Sequence, residues 1–274
     1  MSEEVLQRHR AVWRQKPVLR RLYENWYRDI IAWLAPGRTV EIGGGTGNLK
    51  AHVPGVYCSD VMVLPWLNVV ADAQRLPFQS ESLSNLVLFD SLHHIENVSL
   101  FFDEALRTLR VGGRIIVMDP YLSWASWPIY RWLHPEPTNC SEDPLVLKPP
   151  QIDRRPFDAN QAVATILFER SRSRFQSRYP EFTVQHIRRL ACVAYPLSGG
   201  FDHPSFLPEW SVTPILRLEQ TLERVGWLLA FRMLVVIERR VESASVPRAA
   251  VGPSDACKVE EAAPIMHRVV EWMR

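Results

Sequence analysis

Val40-Glu41-Ile42-Gly43-Gly44-Gly45-Thr46-Gly47-Asn48 joins a short β-branched run to a loop in which an acid precedes three glycines spaced two apart, at 43, 45 and 47. At the end of a buried strand, glycines let the backbone approach a ligand with no Cβ in the way, and Glu41 adds a carboxylate suited to a cationic ligand. A dinucleotide loop needs its last glycine three positions after the second, where Asn48 stands, so nicotinamide chemistry is disfavoured. Further acids close the apolar runs that follow, at Asp60, Asp72 and Asp90, and Asp90-Ser91 leads into His93-His94. An imidazole of ordinary pKa, about 6.5, could remove a substrate proton there. Asp119 and Tyr121 close another run, and Asp202 and His203 lie in a Gly199 to Pro204 loop, so these four are candidate acid–base groups as well.

Strands must place these acids at one edge. Thr39 to Ile42, Val56 to Ser59, Asn68 to Ala71, Leu86 to Phe89 and Arg114 to Met118 are β-branched or apolar runs bounded by turn residues. A helix is predicted over 97–110, with Asn97 as N-cap, Phe101, Ala105 and Leu109 facing inward, and Gly112-Gly113 as its stop. Alternation of this kind implies a mostly parallel α/β sheet. Before it, apolar residues at helical spacing from Leu6 to Leu34 predict two helices, with Pro17 opening the second. Beyond Asp119 prolines crowd residues 120–157, which reads as an insertion over the ligand edge. Asn160 to Arg170 and Pro214 to Val225 look helical, the latter closed by Gly226, and Phe182 to Ala194 has strand-like portions.

In this order the motifs resemble those of the class I S-adenosylmethionine (SAM) methyltransferases. Their first motif, E/D-x-G-x-G-x-G, is filled by Glu41, Gly43, Gly45 and Gly47, with Gly44 between. Asp72-Ala73 before Gln74-Arg75-Leu76-Pro77-Phe78 resembles the D-A-x-x-L-P-F segment, Asp90 to Ile95 the motif after strand four in the ubiquinone/menaquinone-methylase-like branch, and Leu109 to Gly113 its L-x-P-G-G turn with Val for Pro. The resemblance covers residues 38 to 119 and implies a Rossmann-like sheet with an antiparallel last strand, assigned to Leu228 to Ile237. It implies SAM as cofactor and S-adenosylhomocysteine as product. Asp60, with Val61 beside it, is then the ribose acid, Asp72 and the Ala73 N–H meet the adenine, and Asp90 and Ser91 complete the cofactor set. Pro65 prevents a full helix between Asp60 and Asp72, so a loop bearing Met62, Leu64, Trp66 and Leu67 is expected to line the adenine pocket. Among the histidines of this family the second often belongs to the scaffold.

For the acceptor, Trp124, Trp127 and Tyr130 recur every third residue, with Trp132 close by. One aromatic face results, which either packs on the N-terminal helices or forms an apolar acceptor site or a membrane-resting patch, helped by Arg131, Arg154 and Arg155. His203 is a further acceptor-binding candidate. Arg170, Arg172, Arg174 and Arg178 could hold a phosphate or simply form a solvated face. No Asn-Pro-Pro-Tyr or Asp-Pro-Pro-Tyr tetrapeptide follows strand four, which disfavours amide and nucleobase amino methylation and leaves oxygen or carbon acceptors ahead.

Bulk properties agree with an ordinary globular protein: 274 residues, 47% hydrophobic, 23% charged and a net charge of +2, which gives no sign of a nucleic-acid partner. Four scattered cysteines without C-x-x-C spacing argue against a zinc or disulfide framework, and no metal is expected. The acidic N-terminus does not read as a secretory signal and no stretch approaches the roughly 20 apolar residues of a membrane span, so a cytoplasmic protein, at most peripheral to the inner membrane, is expected. The expected organisation is a helical lid (1–37), a methyltransferase domain (38–240) with a cap at about 120–215, and a linker with a short helix (241–274). The function expected is methyl transfer to an oxygen or carbon of a small-molecule, lipid or glycan acceptor. The alternative is a SAM-binding protein without methyl transfer.

Overall fold

The computed structural model describes residues 2–149, 153, 155 and 157–240. The expected C-terminal linker and helix, Cys257, and Arg154 lie outside the described residues.

Two helices open the chain, α1 (Ser2–Gln15) and α2 (Pro17–Ile31). Pro17 stands in the first turn of α2, where its missing N–H has no helical partner to lose and its ring preorganises φ. Leu19, Leu22, Tyr23, Trp26 and Ile30 recur every three or four residues and are all buried, so one face of α2 is committed to the core.

The sheet has seven strands: β1 (Thr39–Ile42), β2 (Tyr57–Asp60), β3 (Val69–Val70), β4 (Leu83–Phe89), β5 (Leu109–Pro120), β6 (Phe182–Leu190) and β7 (Arg232–Arg239), in spatial order 3-2-1-4-5-7-6. The first five run parallel, and β7 lies antiparallel between β5 and β6. Alternating side chains fill two cores. On one face Val40, Ile42, Leu86 and Leu88 pack with Phe101, Phe102 and Ala105 of α3 (Val98–Thr108). On the other, Cys58, Val87, Phe89, Ile116 and Met118 pack with Tyr23, Trp26 and Ile30 of α2. Helices thus cover both faces, the Rossmann-like α/β arrangement expected.

Several local expectations change. β3 is two residues long, because only Val69 and Val70 pair with Ser59 and Asp60 of the neighbouring strand. Helix α3 ends at Thr108, before Gly112-Gly113: Leu109 turns extended to pair with Leu83, and the glycines fall within β5. Asn97 stands at the N-cap position, but its side-chain oxygen accepts from the Lys148 N–H instead of capping. The last arm of the sheet is Arg232–Arg239, and Gly226 starts a further short turn instead of closing a helix. The span read as a cap supplies β6 to the sheet itself: it pairs antiparallel with β7, with Val184 buried in the first core and Ile187 partly buried against it.

Candidate active site

The strand order reverses between β1 and β4, and at such a switch point the loops leaving neighbouring strands diverge into a ligand crevice. The glycine turn after β1 and the Asp90–His94 turn after β4 meet there. Gly43, at φ +67°, would place a Cβ only 2.6 Å from the Cβ of Ser91, so a side chain at 43 would push the two turns apart. Ser91 Oγ donates to the Ile42 carbonyl at 2.7 Å, which fixes that contact. Gly45 and Gly47 also have positive φ. The turn is braced from below by the Gly44 N–H on the Ser59 carbonyl and from the side by the Trp66 indole N–H on the Gly45 carbonyl.

Asp60 accepts from the Gly45 N–H at 3.0 Å through one oxygen and from the Met62 N–H at 3.0 Å through the other. Each oxygen keeps a second lone pair, so the carboxylate ties the glycine turn to the end of β2 without exhausting its capacity for a hydroxyl. Val61 beside it is exposed. Asp72 is exposed and accepts from the Gln74 N–H, while Ala73 is buried in the core. Glu41 lies beneath the turn instead of in it. It is buried, its Oε2 has no hydrogen-bond partner, and burial lifts its pKa to about 7. The N-terminal helices cover the crevice: Arg10 donates to the Thr46 carbonyl and stacks on Trp66, and Leu6 comes within 3.3 Å of where a Gly45 Cβ would be. Loop 199–204 fastens α1 in turn, through Arg8 to Asp202, Lys16 Nζ to the carbonyls of Gly200 and His203, and His9 stacked on Phe201.

Asp90 has φ +52°, uncommon for a residue with a side chain, and its carboxylate pairs with the buried Arg232. Next to it His93 is buried, with Nδ1 donating to Asp119 Oδ1 at 2.9 Å and Nε2 facing Glu136 Oε2 at 3.4 Å. Burial opposes a charge on His93, but the Asp119 and Glu136 carboxylates outweigh it and push the pKa to about 10. His94 is pulled down to about 4 by burial and by the charge on His93. Burial would raise Glu136, yet the hydrogen bond from His93 and the charges of His93, His94 and His134 hold it down to about 2. The two rings are thus driven in opposite directions, the Asp119 and Glu136 carboxylates favouring the charged form of His93, and burial together with His93 favouring the neutral form of His94.

The other expected residues divide. Tyr121 is buried under the Arg189 guanidinium, 5.6 Å from the ring, and joins the core. Tyr130 is buried and donates to the Phe231 carbonyl, and Trp127 packs on the same core; both lie on α4 (Ser126–Trp132), but Trp124 precedes that helix and is exposed. His203 is exposed, its carbonyl held by Lys16. Of the arginine run, Arg174 pairs with Asp143 and Arg178 covers Tyr179. Arg172 lines a surface groove of about 450 Å³ with Glu169, His186 and Arg189, which contains none of the expected cofactor or acid–base residues. Glu136 and Arg232 were not anticipated. An acid between Pro135 and Pro137, and an arginine interrupting an apolar strand, were the available signals.

Residues 40–117 match the family described as methyltransferase domain. A demethylmenaquinone methyltransferase of Roseiflexus castenholzii is 25% identical over 141 residues, covering 42% of this chain and 59% of that protein. The ubiquinone/menaquinone biosynthesis C-methyltransferase UbiE of Cereibacter sphaeroides is 25% identical over 137 residues, covering 38% and 54%. The chain spans somewhat more than half the length of these curated relatives. A solved SAM-dependent methyltransferase from Archaeoglobus fulgidus is 16% identical with a TM-score of 0.47, covering 81% of this chain and 94% of that one. Residues 40–117 thus match a methyltransferase domain, and the chain is similar there to methyltransferases named for quinone biosynthesis; SAM is the cofactor this similarity supports. The residues fit it: a turn of glycines with room only for backbone, a carboxylate at the end of β2 with free lone pairs, and an orphaned buried Glu41 oxygen below. Among the described residues no helix is long and apolar enough to cross a membrane.

Proposed function

We propose that this protein is a SAM-dependent methyltransferase acting on an oxygen or carbon of a small-molecule, lipid or glycan acceptor. One observation carries the reading: the glycine turn of β1 and the Asp90–His94 turn of β4 are locked together at the switch point of the sheet, Gly43 against Ser91. When bound, SAM supplies an electrophilic methyl group on a sulfonium. Asp60 would hold the ribose hydroxyls and the Asp72-Ala73 segment the adenine, while the glycine turn accommodates the amino-acid end. The buried α2 face and the fastened α1 lid exclude water, so alignment in a dry site does most of the catalytic work.

The curated relatives are named for quinone methylation, which supports beginning with quinol and phenolic acceptors. Exposed Trp124, Ile129, Trp132 and Leu133 support peripheral contact with a membrane that holds a lipid acceptor, and a cytoplasmic location fits that reading. The test is transfer of isotope-labelled methyl from SAM to a panel of quinols, phenols and sugar lipids. Label in an extracted product supports the reading; SAM binding with label in no acceptor favours the non-transferring alternative.

A further inference from the structure

Beside the glycine crevice, His93 and His94 after β4 and Glu136 of the proline-rich segment bring two imidazoles and one carboxylate together, their donor atoms all within 4.8 Å of one another. Nε2 of His93 lies 3.4 Å from Glu136 Oε2, and Nε2 of His94 lies 3.8 Å from Glu136 Oε1. Bonds of about 2.0–2.1 Å in a tetrahedral sphere separate ligand atoms by roughly 3.3 Å, so side-chain rotations that close the widest of these separations by up to about 1.5 Å would seat an ion.

The other nitrogens are arranged as metal-binding histidines require. Nδ1 of His93 donates to the buried Asp119 carboxylate at 2.9 Å, and Nδ1 of His94 faces the Asp158 carbonyl at 3.4 Å. Both partners are acceptors, so in a neutral ring the proton sits on Nδ1 and the Nε2 lone pair points toward Glu136. Such outer partners fix tautomer and ring orientation in metal sites. Gln161 hydrogen-bonds Glu136 Oε2 and orients the carboxylate.

We propose that His93 Nε2, His94 Nε2 and the Glu136 carboxylate bind a divalent transition-metal ion of the zinc or iron(II) class, with Asp119 as the outer partner of His93 and a coordination position left open. Two imidazoles and a carboxylate suit such ions, whereas magnesium and calcium take mainly oxygen donors. The open position suits an acceptor oxygen, an alcohol, phenol or enol, whose pKa falls on coordination. That role rests on the methyltransferase reading; the binding of the ion does not.

The test is titration of the chelator-treated full chain with cobalt(II), without SAM or acceptor, followed by visible absorption and zinc competition. About one equivalent should bind saturably, give the intense bands of four- or five-coordinate cobalt and be displaced by zinc. His94→Gln and Glu136→Gln should lose at least roughly tenfold in affinity, and Asp119→Asn about 10–100-fold, as outer-partner substitutions do. Should a variant misfold by circular dichroism, the wild type decides alone: zinc should shift the Nε2 ¹⁵N signals of two histidines and leave the other imidazoles unchanged. Absence of saturable binding, or binding that survives both His94→Gln and Glu136→Gln, overturns the proposal and leaves His93 as an imidazolium strut between Asp119 and Glu136. SAM calorimetry on the same metal-free samples separates that failure from failure of the methyltransferase reading.

Discussion

Arg232 of β7 reaches past β5 to pair with Asp90 at the end of β4, and it does so from almost complete burial. The rings of Tyr195 and Trp26 lie 4.4 and 4.9 Å from its guanidinium, with Phe89 and Tyr23 slightly farther. This pair holds the strained Asp90 backbone in place and so orients the turn that carries Ser91, His93 and His94.

Removing one partner of a buried pair leaves the other uncompensated. Asp90→Asn, which leaves the buried Arg232 guanidinium unpaired, should therefore destabilise the fold by about 3–5 kcal/mol in urea unfolding, and Arg232→Met by less, because the Asp90 it leaves behind is partly exposed. The double variant should recover part of the loss. A change under about 1 kcal/mol for Asp90→Asn would mean the pair has no structural role.

Substitutions in the glycine turn should act on binding. Gly43→Ala sets a methyl against Ser91 at a positive φ, and Gly45→Val sets a branched side chain against Leu6. Both should cut SAM affinity by more than about tenfold in calorimetry, a loss exceeding about 1.4 kcal/mol. Unchanged affinity in both would remove the turn from the cofactor site.

Asp72→Ala separates binding from stability. Asp72 is exposed and its carboxylate accepts only from Gln74 within its own turn among the described hydrogen bonds, so the melting temperature should hardly move. SAM affinity should fall by roughly 1–3 kcal/mol through loss of an adenine hydrogen bond. A stability loss with intact affinity would reverse that assignment.

Glu41 predicts a pH dependence. Its pKa rises from 4.5 to about 7 on folding because burial disfavours the carboxylate. The folded chain then binds more protons than the unfolded chain between those values, so Glu41 costs no stability below pH 4.5 and an increasing amount as pH rises through 7. Glu41→Gln removes that cost. Its melting temperature relative to the wild type should be higher at pH 8 than at pH 5, and parallel curves would contradict a buried, ionising Glu41.

Much of this was legible in the chain. Thr39 to Ile42 was read to the residue because four β-branched or apolar-compatible positions run between Gly37 and the glycine turn, and Pro17 marked the break between the first helices. The acids at strand ends were legible because a parallel sheet aligns its C-terminal ends. What failed depended on partners distant in sequence. β3 is reduced to Val69 and Val70, the two residues in register with Ser59 and Asp60, and α3 stops at Thr108 because Leu109 finds Leu83. The histidines were visible, but their pKa shifts were not: burial and His93 lower His94, while Asp119 and Glu136 raise His93 against its burial, and Glu136 comes from a segment with no periodicity to place it. Trp124 shared the spacing of Trp127 and Tyr130, yet the helix begins only at Ser126.

The central claim is a SAM site built on the β1 turn and Asp60. Calorimetric titration of the purified protein with SAM and with S-adenosylhomocysteine, repeated on Asp60→Ala, addresses it directly. The account predicts saturable binding of both ligands, with Kd on the order of micromolar, weakened by at least about tenfold in the variant. No binding of either ligand by folded wild-type protein, or equal binding by Asp60→Ala, would contradict it.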